Sequence, residues 1–567
     1  MLITLGWVGL FGLIAWCLLT PARGAGDESV GVLWWLVTAA VLLCFRWALV
    51  HAPFEFNPDE GQLLAGALTL RHDPVFWRSV DGFTAGPLDF YPLIPATFAG
   101  GLNSFTAERL TGLAGTFGAW VFAGEALALL AGRLIARAVV LPALAAYVFT
   151  TSPDFLYYST EIAPVFLLSM AVWLFAKHVR RPTASNLWSI GLVLGAVPWS
   201  KLQATPLAGT LWLVVAIHES IRSNVVHRWS RNAGPRTDHG GADSKKLAGS
   251  RLRVVPILLL AGIIPSLAFG AVATVTGQVH HLIISYVLNN FGYVQAAPLS
   301  LAATLSKQWG NATVNGTLGF WMAGILAFTV ISLFIPHKKP MAKAATVVAL
   351  LLVAAALLAI AMPRRDTGHY LIFLSLPLML CAGAALVVLC SGNLNTKQLY
   401  AKVGTALFLA AVLAPQLIWA RSHPGPLYET DPTAASPARA ELSRTIRQYA
   451  HSGEPLGVWG WASALYIDTG MYQATREGQT QPQINAGRWR SYFLKRYMED
   501  LNASDPPVFV DTVGTGNYMV HRSRAHESFP SLTEFLDRRY TFVEELGGMR
   551  IYVRKDRLLN LESRRAH

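Results

Sequence analysis

Charge is scarce in this chain of 567 residues: 14% are Asp, Glu, Lys or Arg, against 53% that are hydrophobic. Soluble domains carry about 25% charged residues, so the shortage excludes an ordinary soluble enzyme and leaves a polytopic membrane protein. Cysteine is nearly absent. Cys17, Cys44, Cys381 and Cys390 all fall inside apolar runs, which argues against a disulfide framework and against a cysteine-based metal site. The chain's C-terminal part has neither a GxGxxG nor a P-loop stretch, so a nucleotide site there has no support. No internal repeat is evident across the apolar runs, which weakens a transporter reading built on duplicated halves. No basic residue precedes the first apolar run, and Arg23 follows it. A cleaved signal peptide wants a positive start, so this run is read as a retained helix with its N-terminus outside.

What is present is a succession of apolar runs at 2–20, 30–52, 108–132, 138–153, 161–177, 186–200, 204–218, 254–275, 318–336, 344–362, 370–390 and 403–420. Several are shorter than the ~20 residues of a straight crossing. The basic residues behind the net charge of +13 gather in alternate loops: Arg133 and Arg137; Lys177, Arg180 and Arg181; the long loop 219–253; Lys338, Lys339 and Lys343; Lys397 and Lys402. The intervening loops hold few, namely Arg71, Arg78, Lys201, Lys307, Arg364 and Arg365. The positive-inside rule makes the first set cytoplasmic. It places 53–107 and everything after 420 outside. Because the basic residues sit in short loops between apolar segments, no nucleic-acid partner is implied. The tract 229–250 reads as a disordered cytoplasmic linker.

Residues 421–567 change character. A helix is expected at 434–451, with Ser436 as N-cap and Pro437 at its first position. A strand from Leu456 to Gly460, a helix near 463–472, a helix over RWRSYFLKRYMED and a strand in PPVFVDTV follow. Two alternating runs joined by Gly547–Gly548 read as a hairpin. The fold class is thus an all-α membrane domain (1–420) followed by a small extracytoplasmic α/β domain (421–567).

The outer face carries the chemistry. Residues 53–95 are far more polar than the flanking runs and hold Glu55, Asp59, Glu60, Asp73, Asp81 and Asp89. The pair Asp59–Glu60 lies just past an apolar helix, where a carboxylate can take a proton from a hydroxyl at the membrane surface. Asp89, Tyr91 and Asp154 are acceptor or loop candidates, and Glu161 reads as a carboxylate at a helix start. Lys201 interrupts two apolar runs, and Arg364–Arg365 run directly into His369–Tyr370. Guanidinium, imidazole and phenol groups are the donors a phosphate wants. His280–His281 reads as structural or as part of a metal site, and Asn289 to Tyr293 as a turn. No modification is attached to the Asn311 and Asn315 triplets.

Four segments resemble the C-type (GT-C) glycosyltransferases, a superfamily that includes protein O-mannosyltransferases and the lipid A aminoarabinose transferase. They are NPDEGQLLAGALTL, DGFTAGPLDFYPLIP, PDFLYYSTEIAPVFLLSMAVWLF with VPWSKLQATP, and RRDTGHYLIFLSLPLML. GVWGWASALYIDTGMYQATR is similar to the tail of some bacterial members. In YYSTEIAP, Thr160–Glu161 stands where relatives commonly carry arginine and an acidic or small residue. The resemblance implies the GT-C fold for the membrane domain, to which the apolar runs give about twelve transmembrane helices. It also implies inverting transfer of a sugar from a polyprenyl phosphate to a hydroxyl of a glycolipid, polysaccharide or protein. Asp59 is then the base with Glu60 beside it, and Lys201, Arg364, Arg365, His369 and Tyr370 hold the donor phosphate. Use of a divalent metal stays open, with Glu60, His280 and His281 as candidate ligands. The alternatives are a lipid-linked glycan ligase or polymerase, and a transporter or flippase of lipid-linked anions.

Overall fold

The computed structural model describes residues 1–21, 29–232, 254–295, 299–314, 316–335, 340–390, 397–423, 437–515, 517–519 and 521–559. Residues 233–250 of the expected linker, Ser436 and Asn315 lie outside these. The first four residues of that linker are instead the end of the helix Thr205–Asn232.

Each apolar run forms a helix. Among the described residues ten are long and apolar enough to cross a membrane, from α1 (Leu2–Leu19) and α2 (Val32–Val50) to Gly368–Leu389 and Gln398–Ser422. The chain is a multi-pass membrane protein. Two runs make shorter helices, Arg133–Val148 and Ala184–Ala196. In the first, every residue from Leu134 to Val148 is buried, which is why it is apolar all round instead of along one stripe.

The loops sort to two ends as alternate crossings require. At one end, Arg137 donates to Thr20 Oγ1 and to the Val30 carbonyl, both at 2.7 Å, and so ties the end of α1 to the start of α2. At the other end, the loops after α2, Arg133–Val148 and Ala184–Ala196 meet the start of Gly368–Leu389. Asn57 bonds Asp154 at 3.0 Å, and Lys201 pairs with Glu161.

The first polar stretch is not a plain loop. It folds as the helix α3 (Pro58–His72), with Pro58 in its first turn and the Asn57 side chain accepting from Asp59 N at 3.0 Å. Proline there costs nothing, because its missing N–H would have no helical partner. Its buried face, including Leu64, Ala65 and Leu68, packs under the C-terminal domain. The expected turn at 289–293 is also helical, within Asn289–Gln295.

The C-terminal domain is α/β as expected. Strands β1 (Pro455–Trp459), β2 (Tyr472–Gln473), β3 (Val508–Asp511), β4 (Tyr540–Leu546) and β5 (Met549–Arg554) form one sheet in the order β2-β1-β3-β5-β4. The first three are parallel and the β4–β5 hairpin is antiparallel.

Arg496 fastens this domain to the membrane part. Buried itself, it donates to Asp81 of the first loop at 2.6 Å and to Ser285 of the bundle at 2.8 Å, and it pairs with Glu477. Asp81 N also donates to the Arg476 carbonyl at 2.7 Å. Removing one partner of a buried charge cluster is costly, because the others remain desolvated. Arg496→Met should therefore destabilise the junction by about 3–5 kcal/mol, read as an early calorimetric transition and easier proteolysis of the C-terminal domain. Adding Asp81→Asn and Glu477→Gln should restore most of the loss.

Candidate active site

Adjacent residues on a helix point about 100° apart, so the capped start of α3 sends Asp59 and Glu60 to different places. Glu60 is fully buried on Arg109, with Nε–Oε1 at 2.5 Å and Nη2–Oε2 at 3.0 Å. Phe56 N also donates to Glu60 Oε2, at 2.8 Å. Arg109 spends its remaining N–H groups on the carbonyls of Leu49, Ala52 and Phe54, at 3.3, 2.7 and 2.5 Å. It therefore closes the end of α2 and fixes the start of the first loop. Glu60 is a brace, and the roles considered for it in binding metal or acceptor have no room.

Asp59 turns toward a cluster assembled from three other loops. Its hub is His369, buried at the start of Gly368–Leu389. His369 Nε2 lies 4.0 Å from Asp59 Oδ2 and 3.9 Å from Glu161 Oε2. Nδ1 lies 3.7 Å from Asp154 Oδ1 and 3.1 Å from the Tyr157 hydroxyl. Gly368 permits this: a Cβ there would stand 2.4 Å from Asp154 Oδ2. Lys201 is buried, pairs with Glu161, donates to Thr160 Oγ1 at 2.5 Å and sits 5.0 Å from the Tyr370 ring centroid.

These environments separate the three carboxylates. Burial raises the proton affinity of Asp59, and Glu161 and Asp154 add to it, against the pull of His369 and Lys201. Glu161 is buried too, but His369 and Lys201 outweigh its desolvation and hold it below the ordinary range. Asp154 is likewise held low against its burial, by His369 and by its hydrogen bond from Asn57. The Asp59 side chain is 34% exposed, against 21% for Asp154 and 0% for Glu161. Asp59 is thus the most exposed of the three carboxylates.

The other candidates fall at graded distances from this cluster. Arg365 stacks on Tyr293, its guanidinium carbon 4.1 Å from the ring centroid, and Tyr293 shares a hydrogen bond with Tyr370. Arg364 is exposed, with a left-handed φ of 53°. Asp89 is fully buried, and burial pushes its carboxyl well above the ordinary range, with Lys201 opposing. Tyr91 instead braces the first loop, donating to the Pro74 carbonyl at 2.7 Å. His281 meets Tyr492 of the C-terminal domain at 2.5 Å, with His280 beside the same ring. Glu60, His280 and His281 thus do not assemble a metal site. Among the described residues the ligand group that does converge is Asp511, His526 and Glu527. Arg550 already fills it, 2.5 Å from Asp511 and paired with Glu527.

In the sequence Glu161 reads as a helix-start carboxylate, and Tyr157 and Arg109 carry no assigned role. Arg109 carried a signal: Glu108–Arg109 are two ionisable residues within the apolar helix Leu102–Ala131, and such residues mark buried networks.

A helical membrane bundle whose loops converge on carboxylates, a lysine and a histidine beneath an α/β domain has the GT-C fold. Among solved structures it superposes on ArnT from Cupriavidus metallidurans in the apo state, with a TM-score of 0.56 over 92% of this chain and 97% of that chain, at 13% identity. It also aligns with the Archaeoglobus fulgidus oligosaccharyltransferase complex with Zn and sulfate (TM-score 0.45, 12% identity, 92% of this chain and 73% of that chain). A third is the arabinofuranosyltransferase AftD from Mycobacteria (TM-score 0.41, 13% identity, 94% and 40% covered). No family model and no curated protein sequence matches the chain.

The raised proton affinity of Asp59 has a consequence for stability. In the unfolded chain it ionises in the ordinary carboxylate range, whereas in the fold it keeps its proton to higher pH. The folded chain binds more protons between those two values, so stability falls as pH rises through that window and stays lower above it. Asp59→Asn removes this cost. The variant should melt at or above the wild-type temperature at neutral pH and lose that advantage in acid, as read by thermal scans across pH.

Proposed function

We propose that the protein is a membrane glycosyltransferase. It moves a sugar from a polyprenyl-phosphate donor to an acceptor hydroxyl at the outer face of the cell membrane, with inversion at the anomeric carbon. The observation that carries this reading is the placement of Asp59. It is the most exposed carboxylate of the cluster, with a raised proton affinity, a few ångströms from His369 and across from Lys201. Such a group takes the acceptor proton as the hydroxyl oxygen attacks, while the bond from the anomeric carbon to the phosphate oxygen breaks on the opposite side. The leaving polyprenyl phosphate is already a weak base, so no general acid is obligatory. Its charge falls to Arg364, Arg365 and Lys201, with His369 and Tyr370 as hydrogen-bond donors. Glu161 keeps Lys201 in place, and Asp154 together with Tyr157 orients His369. The basic loops at the opposite end of the bundle support an outward-facing site.

Asp59→Asn should lower turnover by about 10²–10⁴-fold, the worth of a general base, in a protein that remains folded. Wild-type turnover should rise with pH through the elevated Asp59 value, and the variant should lose that limb. A variant retaining more than about a tenth of wild-type turnover would remove Asp59 from the role. Alanine at Arg365 should weaken donor binding more than acceptor binding and cost about 10²–10³-fold in rate. Arg365→Lys should recover it only in part, because an ammonium lacks the planar fork. Equal donor affinity in Arg364, Arg365 and Lys201 alanine variants would place the phosphate elsewhere.

A further inference from the structure

The C-terminal sheet has a switch point. From β1 the chain passes to β2 on one side, then crosses to β3 on the other, so the order β2-β1-β3 reverses between β1 and β3. In open sheets of parallel strands, ligands bind in the crevice outside the carboxyl ends at such a point. Here the two loops flanking it are the one leaving β1 and the one leaving β3, and each presents an aromatic side chain. Gly460 turns the first loop with φ +113°, and a Cβ there would lie 2.2 Å from Thr512 Oγ1. Trp461 follows directly. The second loop is closed by Gly514 N donating to the Met519 carbonyl at 2.9 Å, and Tyr518 lies within it. The two rings meet edge to face with centroids 4.6 Å apart. The Tyr518 side chain is left 58% exposed. The Trp461 indole N–H has no acceptor among the described residues.

The loop leaving β1 adjoins α3, the helix that carries Asp59. Ala464, three residues after Trp461, sits against α3 so closely that a Cβ on Gly61 would lie 2.8 Å from its backbone nitrogen. Gly61 is two residues from Asp59. Burial and the Asp59 carboxylate raise the proton affinity of the Tyr518 phenol while Arg365 lowers it, so the phenol stands in the field of both groups.

We infer that Trp461 and Tyr518 form the acceptor subsite, and that the acceptor is a carbohydrate whose ring rests on the aromatic pair with one hydroxyl turned toward Asp59. A sugar ring offers an apolar C–H face and a rim of hydroxyls. Trp and Tyr offer the complement, apolar area at low entropic cost with one polar handle each. A bare acyl chain would leave the indole N–H and the phenol unused. This assignment rests on the transferase reading, which the sheet topology does not otherwise require.

Binding can be measured without donor or turnover. The detergent-solubilised full chain is titrated by saturation-transfer NMR with methyl α-mannopyranoside, methyl β-galactopyranoside and methyl α-arabinofuranoside. At least one should bind, and Trp461→Ala should weaken it about tenfold or more, the loss expected of an aromatic anchor, with Trp461→Phe in between. Should Trp461→Ala fail to fold, Tyr518→Ala, at an exposed position, decides by the same criterion. No binding of any of the three to wild type, or equal binding to the alanine variants, overturns the subsite. Trp461-dependent glycoside binding in a protein that turns over no polyprenyl-phosphate sugar keeps the subsite and sinks the transferase. Turnover without glycoside binding does the reverse.

Discussion

The Arg109–Glu60 pair is the constraint on which the rest of the site depends. A guanidinium buried at the end of an apolar helix must find acceptors for all its N–H groups or lose several kcal/mol. Arg109 finds them at the end of α2, in the first loop and on Glu60. In doing so it fixes where α3 begins. The helix start then sets the direction of Asp59, and the cluster around His369 sets its proton affinity. A stability requirement and the placement of Asp59 are met by the same contacts.

The balance of charge around His369 explains why similar groups do different work. Three carboxylates face one imidazole, yet Lys201 is committed to Glu161 and Asn57 supports Asp154. Both are held ionised, while Asp59 has no such partner at hydrogen-bond distance among the described residues, so the cost of its burial prevails and its proton affinity stays raised. Environments that push the affinities of neighbouring groups apart are a feature of acid–base sites.

Much of this was legible in the sequence. Each of the apolar runs is a helix, the hairpin turns at Gly547–Gly548, and β1 and β3 lie close to where the sequence puts strands, whereas the two-residue β2 falls at the end of an expected helix. These are local properties of hydrophobic pattern and backbone. Lys201 and His369 were legible as exceptions to local pattern, charged or polar groups at the mouths of apolar helices. What was not legible was partnership. Asp59–Glu60 reads as one acidic pair, and only the helical turn of α3 shows that the two point apart. Glu161 looks like an ordinary helix-start carboxylate until Lys201, forty residues on, is seen against it. His281 reads as structural or as a ligand until the C-terminal domain brings Tyr492 to it. Such contacts join distant segments through tertiary packing, on which periodicity is silent.

The junction made by Arg496 gives the C-terminal domain a place in this account. It seats the loop leaving β1 and the strand β2 against α3, so the C-terminal domain packs directly on the helix that carries Asp59. The most direct measurement is to incubate the purified protein with polyprenyl-phosphate sugars and a carbohydrate acceptor, and to follow the anomeric signals by NMR. Free polyprenyl phosphate and a glycoside of inverted anomeric configuration are expected. A retained configuration, or passage of intact lipid-linked sugar across a bilayer with no glycosidic product, would contradict inverting transfer.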